Sequence, residues 1–363
     1  MPRRARRAVK RLTRAPPGRP LGAMDANTPR LLLIGCGAFG RLHLAALRGL
    51  GIAPMVLDPD RAAAEATGCA VAPSLAAGLD VCDAAIIATP VPTHVPIATA
   101  VLRSGRDLFL EKPATETAAE AAALAALAER EGRIAQVGLY FRFHPKAQAL
   151  RCMVAAGDFG ALHYLAARFS GVKRARGDSG ALLNDAVHFA DLLPWIAGEA
   201  PARVFATLAD SLGRGREDLA VIQMMFPSGL TALIEAGCVL PGRWPDAVVP
   251  GAETRKDVVV AGRAALVEVD FAAETFALRR GAHEPAANGA WLPRHTAREE
   301  PPIPAADPVQ VVAAELAAFL EAVRTRRIPD ANLRDGALAP ARILDAARLS
   351  AAEGRVVSLT EIA

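Results

Sequence analysis

Hydrophobic positions fall into two regimes along the chain. In the first, short apolar runs are nearly unbroken: Leu31-Leu32-Leu33-Ile34, Ala84-Ala85-Ile86-Ile87-Ala88, Leu108-Phe109-Leu110 and Ile134-Ala135-Gln136-Val137, with a shorter extended stretch at Pro54-Met55-Val56-Leu57. Helix-compatible segments separate them, the longest an alanine-rich one over 117–130. Strands apolar on both faces belong in a parallel sheet covered on both sides. The strand–helix alternation predicts a doubly wound sheet with right-handed crossovers. Gly157-Asp158-Phe159-Gly160 then breaks the chain, and strand-like stretches follow at 162–169, 202–208, 219–226, 230–238, 258–261 and 265–271. With Pro227-Ser228-Gly229 turning one into the next, this succession predicts a large, open, mostly antiparallel sheet with helices over one face. Residues 281–308 read as a long surface connection, and helices are predicted over 309–326 and 335–353. The fold class is α/β, with domains over 29–147 and 148–363 behind a basic extension over 1–28.

The first apolar run ends in Gly35-Cys36-Gly37-Ala38-Phe39-Gly40, and the helix-compatible Arg41-Leu42-His43-Leu44-Ala45-Ala46-Leu47 follows at once. A strand feeding a G-x-G-x-x-G turn and a helix N-terminus suits a diphosphate. Gly35 permits the turn, Gly37 lets the backbone approach the phosphates, and Gly40 lets the helix pack closely on the sheet. The helix end supplies free N–H groups and a positive dipole. Glycines also serve plain turns, so context decides. Asp58 lies 18 residues after Gly40, where a dinucleotide (Rossmann) fold places an acid on the adenosine ribose. A carboxylate there repels a 2′-phosphate, which favours NAD over NADP. The competing reading makes Asp58-Pro59-Asp60 a turn and helix cap; the spacing favours the cofactor role.

Ligands of open α/β sheets bind beyond the carboxyl ends of the strands. One such loop is Thr89-Pro90-Val91-Pro92-Thr93-His94, in which His94 either takes part in catalysis or, the favoured reading, starts a helix near the cofactor. Another is Glu111-Lys112-Pro113. Lysine is scarce here, occurring only as Lys10, Lys112, Lys146, Lys173 and Lys256 among 42 basic residues, so one at a strand end stands out. Its ammonium can donate to a substrate oxygen or shift its own pKa when desolvated; otherwise it is a surface turn residue. In the second half, Asn184 and His188 stand four apart on a predicted helix, with Asp191 and Trp195 near the same stripe. His188 is either a general acid–base or a satisfied core residue, and residue type alone slightly favours the core. The basic loop Lys173-Arg174-Ala175-Arg176-Gly177-Asp178 either reaches over a polyhydroxylated or anionic substrate or is simply solvated.

Charge and composition narrow the class. The net charge is +4, but residues 1–23 carry eight basic and no acidic side chains, which leaves −4 for the rest. A mildly acidic body argues against nucleic-acid binding. No apolar run approaches the ~18 residues of a membrane span. The extension has twin arginines without an apolar core segment, and Pro16, Pro17, Gly18 and Pro20 prevent a long regular element, so it reads as disordered, with Met24 as an alternative first residue. Five scattered cysteines without a C-x-x-C pair read as reduced residues of a cytoplasmic protein with no metal site.

The motifs occur in a telling order. Gly35-x-Gly37-x-x-Gly40 comes first, then Ala88-Thr89-Pro90-x-x-x-His94, Glu111-Lys112-Pro113 and Arg142-Phe143-x-Pro145. Gly180-x-Leu182 follows, six residues before His188-x-x-Asp191, and Ser350-Ala351-Ala352-Glu353-Gly354-Arg355 closes the chain. From Arg30 onward this resembles the glucose-fructose oxidoreductase, inositol dehydrogenase and rhizopine-catabolism (Gfo/Idh/MocA) family. The resemblance implies NAD(P)-dependent oxidation or reduction of a secondary alcohol or ketone in a sugar, cyclitol or sugar derivative. It implies catalytic roles for Lys112 and His188, which reverses the reading of His188 as a core residue. Gly35, Gly37, Ala38, Phe39, Gly40, Asp58, Thr89, Pro90, His94, Glu111 and Lys112 fall to NAD, and Asn184, Arg142, Lys173 and Arg176 to the substrate. A homodimer or homotetramer built through the open sheet is implied as well. The chain departs from the commoner family pattern at Asn184, where an aspartate is usual, and at Ala186, where glycine is usual. Asparagine orients a hydroxyl but does not titrate, so a carboxylate-assisted proton relay is in doubt. Transient redox chemistry leading to glycoside cleavage and a non-catalytic NAD-dependent sensor are the rival readings. Lys112 together with His188 counts against the sensor.

Overall fold

The computed structural model describes residues 29–247 and 251–362; the extension expected over 1–28 lies outside them. The described chain divides into two compact units, 29–143 with 307–342, and 144–306 with 343–362.

The first unit runs β1 (Leu31–Ile34), α1 (Ala38–Gly49), β2 (Met55–Leu57), α2 (Arg61–Glu65), α3 (Leu75–Val81), β3 (Ala84–Ile87), α4 (His94–Arg103), β4 (Asp107–Glu111), α5 (Ala118–Arg130), β5 (Ala135–Gly138) and α6 (Tyr140–Phe143). Its strands are all parallel, in the order β2-β1-β3-β4-β5. Every residue of β1, β3, β4 and β5 is buried, as their unbroken apolar runs require. The alanine-rich helix α5 starts at a capping box in which Thr117 and Glu120 satisfy each other's backbone N–H groups.

The second unit contains α7 (Pro145–Ala155), β6 (Leu162–Ser170), a π-helical turn (Leu182–Ala186), α8 (Val187–Ala197), β7 (Arg203–Ala209), β8 (Leu219–Met225), β9 (Thr231–Gly237), β10 (Trp244–Pro245), β11 (Glu253–Gly262), β12 (Ala265–Asp270), β13 (Thr275–Pro285) and β14 (Trp291–His295). Later in the chain come α9 (Pro308–Thr325), α10 (Ala339–Glu353) and β15 (Val357–Ser358), of which β15 and most of α10 belong to the second unit. The large sheet has the order β14-β13-β12-β11-β6-β9-β8-β7-β15, with β10 on β11. Its pairings are antiparallel except β6 with β9. Burial alternates: Val204, Ala206, Ala220 and Ile222 point inward, while Phe205 and Val221 are exposed on the other face.

Two expectations need correcting. Residues 281–308 do not form a plain connection, because β13 extends to Pro285 and pairs with β14 as a hairpin. All of β14 is exposed, so neither strand face left an apolar alternation to read. The second concerns domain assignment: α9 joins the first unit. Val312, Leu316 and Phe319 lie in the same buried cluster as Leu31, Leu47 and Phe109, and Phe319 meets Phe109 edge-on at 5.7 Å. An amphipathic helix advertises an apolar stripe but not which sheet it will cover.

Candidate functional site

The glycine turn shows why its residue types are needed. Gly35 has φ +98, and a Cβ there would come within 2.4 Å of the Ala88 carbonyl oxygen. At Gly40 a Cβ would fall 1.9 Å from the Gly35 oxygen. Gly37 is different, for a Cβ there would meet nothing within 4 Å. The first two glycines are demanded by the protein itself, whereas Gly37 faces open space that a phosphate can approach. Gly37 is also the N-cap of α1 and supplies no side-chain cap, so the helix end keeps N–H groups for an anion. Asp58 accepts from the Cys36 N–H (2.6 Å) and the Asp60 N–H (2.8 Å), tying the end of β2 to the turn. The helix-cap role belongs to Asp60, which accepts from Ala62 and Ala63. Each Asp58 oxygen retains a second lone pair for a ribose hydroxyl. The residues present therefore fit a bound dinucleotide.

Beyond β4, the half-buried Lys112 lies over the Phe39 ring of the glycine turn, its Nζ 5.8 Å from the centroid. Glu111 accepts the Lys112 N–H through Oε2 (3.1 Å) and stands 2.6 Å from His43 Nε2 through Oε1. The Thr93 hydroxyl donates to the Pro90 carbonyl at 2.7 Å and lies 2.7 Å from the Thr89 hydroxyl. His94 opens α4, as expected, but it is buried with both ring nitrogens at 2.9 Å from carbonyl oxygens, those of Pro113 and Thr89. Burial pushes its pKa down against the pull of the two carbonyls. That engagement leaves no ring nitrogen for direct contact with cofactor or substrate. Arg142 is likewise withdrawn from the substrate expectation. It is buried, and its guanidinium donates to the carbonyls of Asp330 (3.0 Å) and Asp335 (3.2 Å).

In the second unit the predicted helix opens as the π-helical turn. The extra residue in that turn disturbs the i,i+4 register assumed from the sequence. Such bulges recur at functional sites, and this one carries Asn184 and Asp185. Asp185 is buried and accepts from Lys173 Nζ (2.6 Å) and Asn184 Nδ2 (3.0 Å). Lys173 Nζ also stands 4.2 Å from the centre of Phe169, whose ring is 5.2 Å from that of His188. Lys256 approaches the same ring at 5.0 Å and pairs with Asp246 at 2.7 Å. Arg176 is held by Asp178 through two hydrogen bonds of 2.8 and 2.7 Å. The pair raises the arginine pKa and holds Asp178 at about 2.

Asn184, Lys173 and His188 are thus gathered about Phe169 and Asp185. Phe169 gave no signal as a strand residue. Asp185 was legible only as the neighbour of Asn184, and Lys256 only as one of few lysines. Among the described residues, no group of three or more His, Cys, Asp or Glu is placed to hold a metal ion.

The comparisons with known proteins identify the family. Residues 30–139 match the family described as "Oxidoreductase family, NAD-binding Rossmann fold", and residues 147–263 match the "GFO/IDH/MocA C-terminal domain". The chain is 32% identical over 213 residues to a UDP-N-acetylglucosamine 3-dehydrogenase of Acidithiobacillus ferrooxidans, covering 57% of this chain and 66% of that one. The solved structure of that enzyme superposes with a TM-score of 0.73 at 26% identity, over 89% of this chain and 96% of the other. An inositol 2-dehydrogenase of Rhizobium meliloti is 30% identical over 230 residues, 57% of this chain and 68% of its own. A D-apiose dehydrogenase of Paraburkholderia graminis is 28% identical over 354 residues, 91% of this chain and 89% of its own. The NAD-cradling turn and the two matched domains make this chain a member of the Gfo/Idh/MocA family of NAD-dependent oxidoreductases.

Proposed function

We propose that the protein oxidises a secondary hydroxyl, or reduces the corresponding ketone, in a sugar, cyclitol or sugar derivative. The observation that carries this reading is the polar cluster around His188. Asn184, Asp185 and Lys173 are joined by hydrogen bonds on the covered side of the sheet, where an apolar core would otherwise be expected. Alternating donors and acceptors suit a polyhydroxylated molecule. The named relatives act on compounds of that kind.

Bound NAD supplies the hydride acceptor, and the chain supplies orientation and proton handling. Gly37 and the N-terminus of α1 hold the diphosphate, while Asp58 takes the adenosine ribose. Lys112 donates to the reacting oxygen and steadies negative charge there as the carbonyl forms, and His188 takes the hydroxyl proton. Asn184 orients a neighbouring hydroxyl, its amide direction fixed by Asp185. Lys173, already paired, contributes one of its remaining N–H donors.

The protein works in the cytoplasm, in keeping with its five free cysteines, and assembles as a homo-oligomer through the open face bearing Phe205 and Val221. No described helix is long and apolar enough to cross a membrane. A panel of sugars, inositols and nucleotide sugars, offered with NAD and with NADP, tests the activity by absorbance of the reduced nicotinamide. Turnover of at least one panel member with NAD is expected, and silence across the panel in both directions contradicts the reading. Light scattering of Val221→Lys tests the assembly, with a drop in solution mass expected.

A further inference from the structure

We infer that His43 and His94 are positioning residues for Lys112, gripping the Glu111-Lys112-Pro113 turn from its two sides. The inference rests on the proposed action of Lys112 at the reacting oxygen.

His43 sits on α1, three residues past Gly40, and is fully buried. It packs edge-on against Phe109 at 5.3 Å. Its Nδ1 has no partner in the described structure. A buried imidazole with an unpartnered nitrogen is costly, and packing against Phe109 alone would be served better by leucine. The other nitrogen gives the reason for a histidine. Nε2 fixes Glu111 Oε1 at 2.6 Å, and the second oxygen of that carboxylate takes the N–H of Lys112. Gly138 at the end of β5 keeps the space clear, since a Cβ there would lie 3.0 Å from Glu111 Oε1.

His94 secures the other side. Its Nδ1 lies 2.9 Å from the carbonyl oxygen of Pro113, the residue after Lys112, and in the tautomer that grips this turn it carries the single proton of the neutral ring; Nε2 lies as close to the carbonyl of Thr89 in the loop after β3. The peptide groups on both sides of the Lys112–Pro113 pair are therefore anchored by buried side chains, and the lysine leaves a fixed backbone to cross Phe39. His43 and Phe39 lie on the helix whose N-terminus forms the phosphate cradle. One helix thus aligns both the cofactor's diphosphate and the lysine brace.

The geometry selects distinct isosteres at the two positions. A glutamine amide nitrogen reaches about where histidine Nε2 stands, and an asparagine amide nitrogen about where Nδ1 stands. His43→Gln keeps the grip on Glu111 and His43→Asn loses it. His94→Asn keeps the grip on Pro113, whereas His94→Gln keeps only Thr89.

The experiment is NMR of the full chain with its few lysines reductively methylated with 13C. The Lys112 signal is assigned by its loss in Lys112→Arg, and NAD is the added probe. The NAD-induced shift of that signal is expected to persist in His43→Gln and His94→Asn. It is expected to be lost in His43→Asn and His94→Gln, while NAD still binds all four. Equal behaviour within each pair, whether both keep the shift, both lose it or both fail to fold, overturns the inference. The measurement needs no substrate, so its failure is distinct from any failure of Lys112 in turnover.

Discussion

Lys112 and His188 are set up by opposite means. Around Lys112 the contacts are directed at backbone: a carboxylate takes its N–H, and an imidazole faces the carbonyls of Pro113 and Thr89. Around His188 side chains organise one another: Lys173 with Asp185, Lys256 with Asp246, and both lysines against Phe169. The difference follows from the two sheets. Where parallel strands end inside a covered layer, peptide groups leave the ladder and must be satisfied by buried side chains. On the face of the mixed sheet the ladder already pairs the peptide groups, so side chains are the only polar groups left to arrange.

The largest expected effect tests whether both regions serve one reaction. Lys112→Ala and His188→Ala should each lower kcat/KM by about 10²–10⁴, with NAD affinity unchanged; full turnover by either variant would remove that region from the chemistry. Next comes the ion-paired region. Asp185→Ala strands the buried Lys173 ammonium and should cost about 3–5 kcal/mol in urea unfolding, with Asp185→Asn milder because it keeps an acceptor. A cost near zero would mean that the pair does not organise this face.

Asp58→Ala loses the charge-assisted bond to the Cys36 N–H as well as the ribose acceptor. It should weaken NAD binding by about 1.5–3 kcal/mol and narrow the preference over NADP, both read by fluorescence titration. The smallest effect separates the neutral grip of His94 from the ion pairs. Its pKa in the folded protein lies below the ordinary 6.5 because of burial. As pH falls below 6.5 the unfolded chain takes up a proton that the folded chain refuses. Stability present above that value is therefore lost toward acid, by at most about 1.4 kcal/mol per pH unit. His94→Asn should flatten that slope in unfolding midpoints measured between neutral and mildly acid pH.

Much of the fold was legible because its signals are local. Short unbroken apolar runs bounded by turns suit strands covered on both faces, and Gly35 and Gly40 fail sterically if replaced. The carbonyl contacts of Arg142 and His94 could not be foreseen, because every residue carries a carbonyl oxygen and no sequence pattern marks one as a partner. The hairpin of β13 and β14 escaped notice because the residues that pair in it, 281–285 with 291–295, have no buried face and so no hydrophobic period.

The sequence by itself determined the parallel sheet, the phosphate-cradling turn and the candidate pair Lys112 and His188. The first two depend on residue type and on spacing along one strand or turn, whereas the pair followed from the order of motifs that resembles the Gfo/Idh/MocA family. Tertiary structure alone decided that α9 covers the first unit, that Asp185 directs Asn184 and Lys173, and that His43 meets Glu111 across 68 positions of chain. Those pairings depend on which elements come to lie side by side, and an apolar stripe or a buried polar group is compatible with many neighbours until packing selects one.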